Sequence, residues 1–225
     1  MNLRWVFAVA ALVFAAAAPA VDDLTKGTDK QKFSYAVGFQ IAQGLRHDGL
    51  VLDADAFAQA VRDVLAEQPP RLSMEEMSDA IEKFQQQQAA ERTARAEKAL
   101  KAGQDFLAAN KGKPGVVTRP SGLQYQVIKD GSGKSPAATD TVEVNYRGTL
   151  LDGTEFDSSY KRGQPVSFPV NQVIQGWQEV LPLMKVGAHW KVFIPASLAY
   201  GERGAGANIG PNETLVFEIE LLGIK

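Results

Sequence analysis

Residues 144–170 read VNYRGTLLDGTEFDSSYKRGQPVSFPV. Val142, Val144 and Tyr146 alternate with polar residues on the way in, the two-residue period of a strand with one buried face. Asp152-Gly153 between apolar runs is a hairpin turn signal. The same period returns upstream at Leu123, Tyr125 and Val127, and downstream at Leu215, Phe217, Ile219 and Leu221. One stretch breaks it. After Asn171, a capping residue, come Val173, Ile174, Trp177, Val180 and Leu181 at helical spacing, closed by Pro182. From about Gly115 onward the chain therefore predicts an antiparallel sheet folded over one short helix, an α+β arrangement.

Upstream the period is four. Thr28 and Gln31 form a capping box, and Phe33, Val37, Ile41 and Leu45 then mark one helical face. Tyr35, Phe39 and Ala42 add apolar surface on other sides, so this helix needs burial on more than one side. Asp53 or Asp55 can cap a second helix, with Phe57, Val61, Val64 and Leu65 inward and Pro69-Pro70 as its stop. Residues 21–72 hold too little chain for a core of their own, and without cysteine they cannot be cross-linked. Two ways of covering these faces remain open: a second copy of the chain, or the rest of the same chain.

Ser73 and Glu76 form a second capping box, opening a helix that carries Met74, Met77, Ile81 and Phe84 on one stripe. That stripe then meets Gln88, Glu91 and Arg95. From Gln85 to Lys98 the helix is polar all round and relies on i,i+4 pairs such as Glu91–Arg95. Leu100, Phe106 and Leu107 restore an apolar face before Gly112 and Pro114. A continuous helix over 73–112 reads as a spacer arm. The rival, a coiled coil, lacks an apolar seam at its middle.

The 225 residues are 45% hydrophobic and 22% charged, with formal charge −2 and no cysteine. Disulfide scaffolds, thiolate metal sites and cysteine nucleophiles are thereby excluded. No basic excess points to nucleic acid. The two histidines, His47 and His189, have no partner pattern for metal binding or catalysis. Residues 1–20 carry Arg4, a purely apolar run from Trp5 to Ala18, and Ala18-Pro19-Ala20, the order of a secretory signal peptide. The run is shorter than the ~20 residues of a membrane span. An uncleaved anchor is the rival reading. Once residues 1–20 are removed, no integral span is expected. An exported, disulfide-free chain fits a bacterial periplasm, with association to the outer membrane or the cell surface as further locations.

The run from Val144 to Val170, QVIQGWQEVLPLMKVG at 172–187, IPASLAYGERG at 194–204 and GPNETLVFEIELL at 210–222 together resemble the FKBP family of peptidyl-prolyl cis–trans isomerases. The upstream order of signal peptide, helical module and long helix, with NKGKPGVVTRPSGLQYQVI at 110–128, is similar to the macrophage infectivity potentiator (Mip) group of bacterial isomerases. The resemblance implies residues 1–20 as signal peptide, 21–72 as a helical dimerisation module, 73–112 as a connecting helix and 113–225 as the isomerase domain. It implies a homodimer, proline-containing polypeptides as substrates, no cofactor and no metal, and the macrolides tacrolimus and rapamycin as inhibitors. By motif position it implies a pocket of Tyr146, Phe156, Asp157, Phe168, Val173, Ile174, Trp177, Tyr200, Ile209 and Phe217. Asp157, Tyr200, Phe156 and Trp177 would carry the catalysis. Trp177 would be the floor under the prolyl ring, and the Tyr200 hydroxyl and Ile174 N–H would hold substrate carbonyls. Two positions depart from the family pattern: Ala205 stands where many members carry a bulkier residue, and Gln175 replaces an arginine.

The chemistry is modest in its needs. Rotation about a peptide bond faces ~18–20 kcal/mol, because twisting breaks amide resonance. Proline imides have comparable cis and trans populations that exchange over tens to hundreds of seconds. No σ bond breaks, so an aromatic cup that favours the twisted amide, with hydrogen bonds that improve only in that state, suffices in principle. A ~10⁴-fold gain would take about 5.5 kcal/mol. Two roles for Asp157 stay open: stabilising charge or an amide N–H near the reacting bond, or fixing the pocket by hydrogen bonds to Tyr or Arg. A second function, a holdase chaperone with isomerisation secondary, is compatible with a two-armed dimer.

Overall fold

A computed structural model of the protein describes residues 23–47 and 49–225. The signal-peptide reading of residues 1–20 lies outside them. The chain divides into two compact units, one ending at Val51 and one running from Leu52 to Lys225.

The first unit holds helix α1, Asp29–His47. Its start is the expected capping box: Thr28 N donates to Gln31 Oε1 at 2.8 Å, and Gln31 N donates to Thr28 Oγ1 at 3.3 Å. Arg46 and His47 occupy its last turn, where positive charge suits the helix dipole. Its apolar residues are uncovered. Phe33 is 70% exposed, and Tyr35, Val37, Phe39 and Ile41 are exposed with it.

The second unit opens with α2, Ala54–Leu65, capped by Asp53, whose side chain accepts from Ala56 N at 2.8 Å. The helix stops four residues short of Pro69. Glu67 takes a left-handed conformation (φ 54°) and turns the chain first. Helix α3, Met74–Asn110, is continuous over 37 residues, ~56 Å at ~1.5 Å per residue. Ser73 and Glu76 make both bonds of its capping box.

Seven strands follow: β1 Val116–Thr118, β2 Gln124–Lys129, β3 Thr141–Thr149, β4 Glu155–Ser158, β5 Val166–Pro169, β6 His189–Ile194 and β7 Leu215–Ile224. All pairings are antiparallel, in the order β1-β2-β6-β7-β3-β4, and β5 pairs with the first half of β3 while β4 takes the second. The Asp152-Gly153 turn joins β3 to β4, with Thr154 N donating to Asp152 Oδ1 at 2.9 Å. Alternation resolves as expected. Val142, Val144, Leu215, Ile219 and Leu221 are fully buried on one face, against Val180, Leu181 and Met184. Each such side chain contributes ~1.5–3 kcal/mol of transfer free energy.

Between β5 and β6 the helix is narrower than the spacing at 171–181 implies. Helix α5 is Gln175–Val180 alone, flanked by 3-10 turns at Val170–Gln172 and Leu181–Leu183. A one-turn helix, α4 (Ser159–Arg162), follows β4. Val173 and Ile174 are extended (ψ 174° and 151°), and Pro182 sits inside the second 3-10 turn rather than closing the helix. Extended backbone at Ile174 turns its side chain toward the concave side of the sheet and leaves its N–H out of the helical ladder.

The end of α3 is packed on the sheet. Phe106 and Phe193 lie 5.6 Å apart between ring centroids. Asn110, buried, donates to Gln124 Oε1 at 2.9 Å, and Gln124 returns a bond to the Leu107 carbonyl at 2.8 Å.

Candidate active site

The concave side of the sheet and α5 enclose a cleft of about 490 Å³. All ten residues expected from the sequence line it, from Tyr146 on β3 to Phe217 on β7. Gln172, Ala205, Gly206, Ala207 and Asn208 complete the lining. Of these only Ala205 had been expected from the sequence to bear on the cleft. Gln172 lies in a 3-10 turn and the others in a loop, where no periodic signal marks an inward side chain.

Trp177 is the floor. It is 4% exposed, and three rings stand nearly perpendicular around it: Tyr146 at 5.3 Å and 89°, Phe168 at 5.9 Å and 85°, Phe217 at 5.2 Å and 81°. Phe156 stands edge-on to Phe217 at 5.5 Å. Edge-to-face contacts of this kind add ~0.5–1.5 kcal/mol each beyond burial, so the cup holds its shape without a ligand. Gly148 makes room for it. A Cβ there would lie 2.6 Å from the Phe156 ring and 2.8 Å from Phe217.

Asp157 sits on the rim in a closed triangle. Tyr146 Oη donates to Asp157 Oδ2 at 2.5 Å, Arg162 Nη1 donates to Oδ1 at 2.5 Å, and Arg162 Nη2 donates to Tyr146 Oη at 2.5 Å. Ser158 N adds a bond to Oδ1 at 2.8 Å, and the guanidinium carbon lies 5.4 Å from the centre of the Tyr146 ring. Burial works to raise the Asp157 pKa. The bonds from Tyr146 and Arg162 and the Arg162 charge outweigh it and hold the carboxyl below its ordinary value. Burial, then the bond to Asp157, push Tyr146 up to about 12. Arg162 was not among the expected site residues. Its signal, an arginine five positions after Asp157 across a one-turn helix, is too common to find alone.

Tyr200 lines the opposite side, 39% exposed. Burial, then the charge of Asp157, raise its pKa, so its hydroxyl is a permanent donor at neutral pH. The Ile174 N–H makes no hydrogen bond among the described residues.

Comparison with known proteins places this geometry. The sequence profile of the FKBP-type peptidyl-prolyl cis-trans isomerase matches residues 132–222, and that of the domain amino terminal to FKBP-type peptidyl-prolyl isomerase matches residues 30–127. The outer membrane protein MIP of Legionella longbeachae is 45% identical over 222 residues, 97% of this chain and 95% of that protein. The chain belongs to the FKBP-type peptidyl-prolyl cis-trans isomerase family. Within the FKBP family it is Mip-like. The peptidyl-prolyl cis-trans isomerase Mip of Coxiella burnetii is 41% identical over 88% of each chain. The crystal structure of FkpA from Escherichia coli matches with a TM-score of 0.63 at 38% identity, covering 88% of this chain and 98% of that one. The protein is thus an FKBP-type isomerase, with proline-containing chains as its substrates. Among the described residues no helix is long and apolar enough to cross a membrane.

Proposed function

We propose that the aromatic cleft over Trp177 is the isomerase site, and that it acts by holding the prolyl amide in its twisted state. The observation that carries this is the convergence of Tyr146, Phe156, Phe168, Trp177, Ile209 and Phe217 on one preformed, mainly aromatic cup. The prolyl ring stacks on the floor. An amide in an apolar cup loses the solvation that favours its planar, charge-separated form, while the twisted form is less polar and loses less. Tyr200 Oη and the Ile174 N–H fix the flanking carbonyls, and fixed donors cost no reorganisation as the bond turns. Asp157 acts mainly by orienting Tyr146 and Arg162, since two of its bonds are already spent inside the triangle and a third on Ser158 N.

The protein acts as an exported homodimer on X-Pro bonds of periplasmic polypeptides. Residues 21–72 form the dimerisation module, 73–112 the arm and 113–225 the isomerase domain. Exposed apolar residues on α1 and α2, among them Phe33, Val64 and Leu65, support a module that needs a partner. The same exposed faces favour the second reading, a holdase that grips unfolded chains. Tacrolimus and rapamycin bind the cleft as inhibitors.

The test is isomerisation of an X-Pro tetrapeptide by the mature protein, with and without rapamycin, beside Asp157→Leu and Tyr200→Phe. Turnover that is blocked by the drug and reduced in both variants is expected. Turnover indifferent to drug and variants would remove the cleft from the reaction.

A further inference from the structure

One wall of the cleft is made by no strand. Tyr200 and residues 205–209 line it from the connection between β6 and β7. This loop is bonded to itself. Ala205 N donates to the Ile209 carbonyl at 2.8 Å, Ile209 N to the Ala205 carbonyl at 3.1 Å, and Asn212 N to the Gly201 carbonyl at 2.8 Å. Such a loop shifts as one piece, so whatever holds its outside sets the position of its inside.

Helix α3 holds the outside. Arg92 Nη2 donates to the Arg203 carbonyl at 3.1 Å. Asn212 Nδ2 donates to the Ala96 carbonyl at 3.4 Å, from a backbone in the left-handed region (φ 59°) that asparagine tolerates better than most residues. Further along the same face, Gly103 lies so close to Thr214 that a Cβ would fall 2.2 Å from its Oγ1. Residues 92, 96 and 103 recur at helical spacing, so one stripe of α3 runs against the loop and the first residues after it.

We infer that α3 is a brace for the pocket wall, and that Arg92 and Asn212 are positioning residues that set how tightly the cleft holds its substrate. The inference rests on the cleft being the isomerase site. Residues 205–208 of this wall, unlike Tyr200 and Ile209, have no part in holding the twisted amide and meet the substrate chain in planar and twisted states alike. Loosening it therefore weakens both equally, which raises KM and spares kcat.

The experiment uses the mature full chain with Arg92→Ala combined with Asn212→Gly; glycine keeps the φ of 59° while losing the donor. Two lost hydrogen bonds should raise the tetrapeptide KM and the rapamycin Kd about fivefold, with kcat within about twofold of the parent. Arg92→Lys, which keeps a donor at the Arg203 carbonyl, should recover most of the single-variant loss. A lowered melting temperature with KM and Kd unchanged would make the contacts merely structural and overturn the brace. Tyr200→Phe is run alongside as the marker of the site. If it lowers activity while the Arg92/Asn212 pair is silent, the brace falls and the site stands. If Tyr200→Phe is itself silent, the reading of the cleft falls first.

Discussion

Tyr146 and Asp157 are joined by a hydrogen bond of 2.5 Å that Arg162 closes into a triangle. Asp157→Leu leaves the half-buried Tyr146 hydroxyl without its acceptor, while the more exposed Arg162 keeps only its bond to Tyr146 Oη. Such orphaned groups cost ~1–3 kcal/mol. The variant should melt at a lower temperature and lose about tenfold in kcat/KM, equal to ~1.4 kcal/mol of transition-state stabilisation. Full turnover in a protein that merely melts earlier would confine the triangle to stability.

The same triangle fixes the pH response. The folded Asp157 pKa is depressed, so its contribution is present above the ordinary carboxylate value of ~3.9 and is lost as pH falls through the depressed one. Tyr146 is the opposite case. Raised to about 12, it contributes fully below the ordinary ~10 and is lost as pH climbs from there toward 12. Activity and stability set by these groups should be level from about pH 5 to 9. A titration of kcat/KM checks this, and a step near neutrality would contradict it.

Of the three tryptophans, Trp5 lies in the expected signal peptide, Trp177 floors the cleft and Trp190 stacks on Tyr125 at 4.4 Å. Rapamycin should therefore change the fluorescence of a mature Trp190→Phe protein about as much as that of the parent. A signal lost in Trp190→Phe would place the drug elsewhere.

Truncation should separate stability from activity. A chain starting at residue 113 lacks Phe106, Leu107 and Asn110, leaving Phe193 uncovered and Gln124 without its partners. The uncovered aromatic and orphaned amide together imply a loss of a few kcal/mol, read as an earlier urea midpoint. A chain starting near residue 90 keeps all three residues and should match the full protein in midpoint. Equal midpoints for both fragments would show that the helix end adds nothing.

The exposed face of α1 bears on assembly. If α1 builds the proposed dimer, Phe33→Glu with Phe39→Glu should give a monomer in sedimentation, with tetrapeptide turnover unchanged and the effect on large unfolded chains reduced. Monomers that retain full potency per domain on such chains would remove the holdase reading.

Much of this was legible in residue order. Strict alternation at Val142–Tyr146 and Leu215–Leu221 announced buried strands, because a strand with one dry face must repeat every second residue. Thr28–Gln31 and Ser73–Glu76 announced helix starts, because orphan N–H groups need local acceptors. The rest depends on backbone states that side-chain type does not dictate. Glu67 ends α2 early, and extended Val173 and Ile174 cut the helical spacing short, each a choice between nearly equal local conformations settled by packing. Gln172 and Asn208 reach the cleft only because a 3-10 turn and a loop fold over it, and Arg162 reaches Asp157 and Tyr146 from a one-turn helix. The aromatic residues taken singly read as core, and only their combined order pointed to a cup.

Between Gln85 and Glu91 the long helix has no apolar seam, and its side-chain bonds there, such as Gln87 to Glu91, stay within the helix. Its first turn is closed by the Ser73 cap, and from Arg92 onward it is held by the loop after β6 and by the sheet, through Arg203, Asn212, Phe193 and Gln124. The stretch from Gln85 to Glu91, with neither apolar packing nor side-chain bonds beyond the helix, is where the rod yields first. Its amides there should exchange with deuterium sooner than those on either side, and any flexing of the arm is resolved at that point without disturbing the helical turns seated on the sheet.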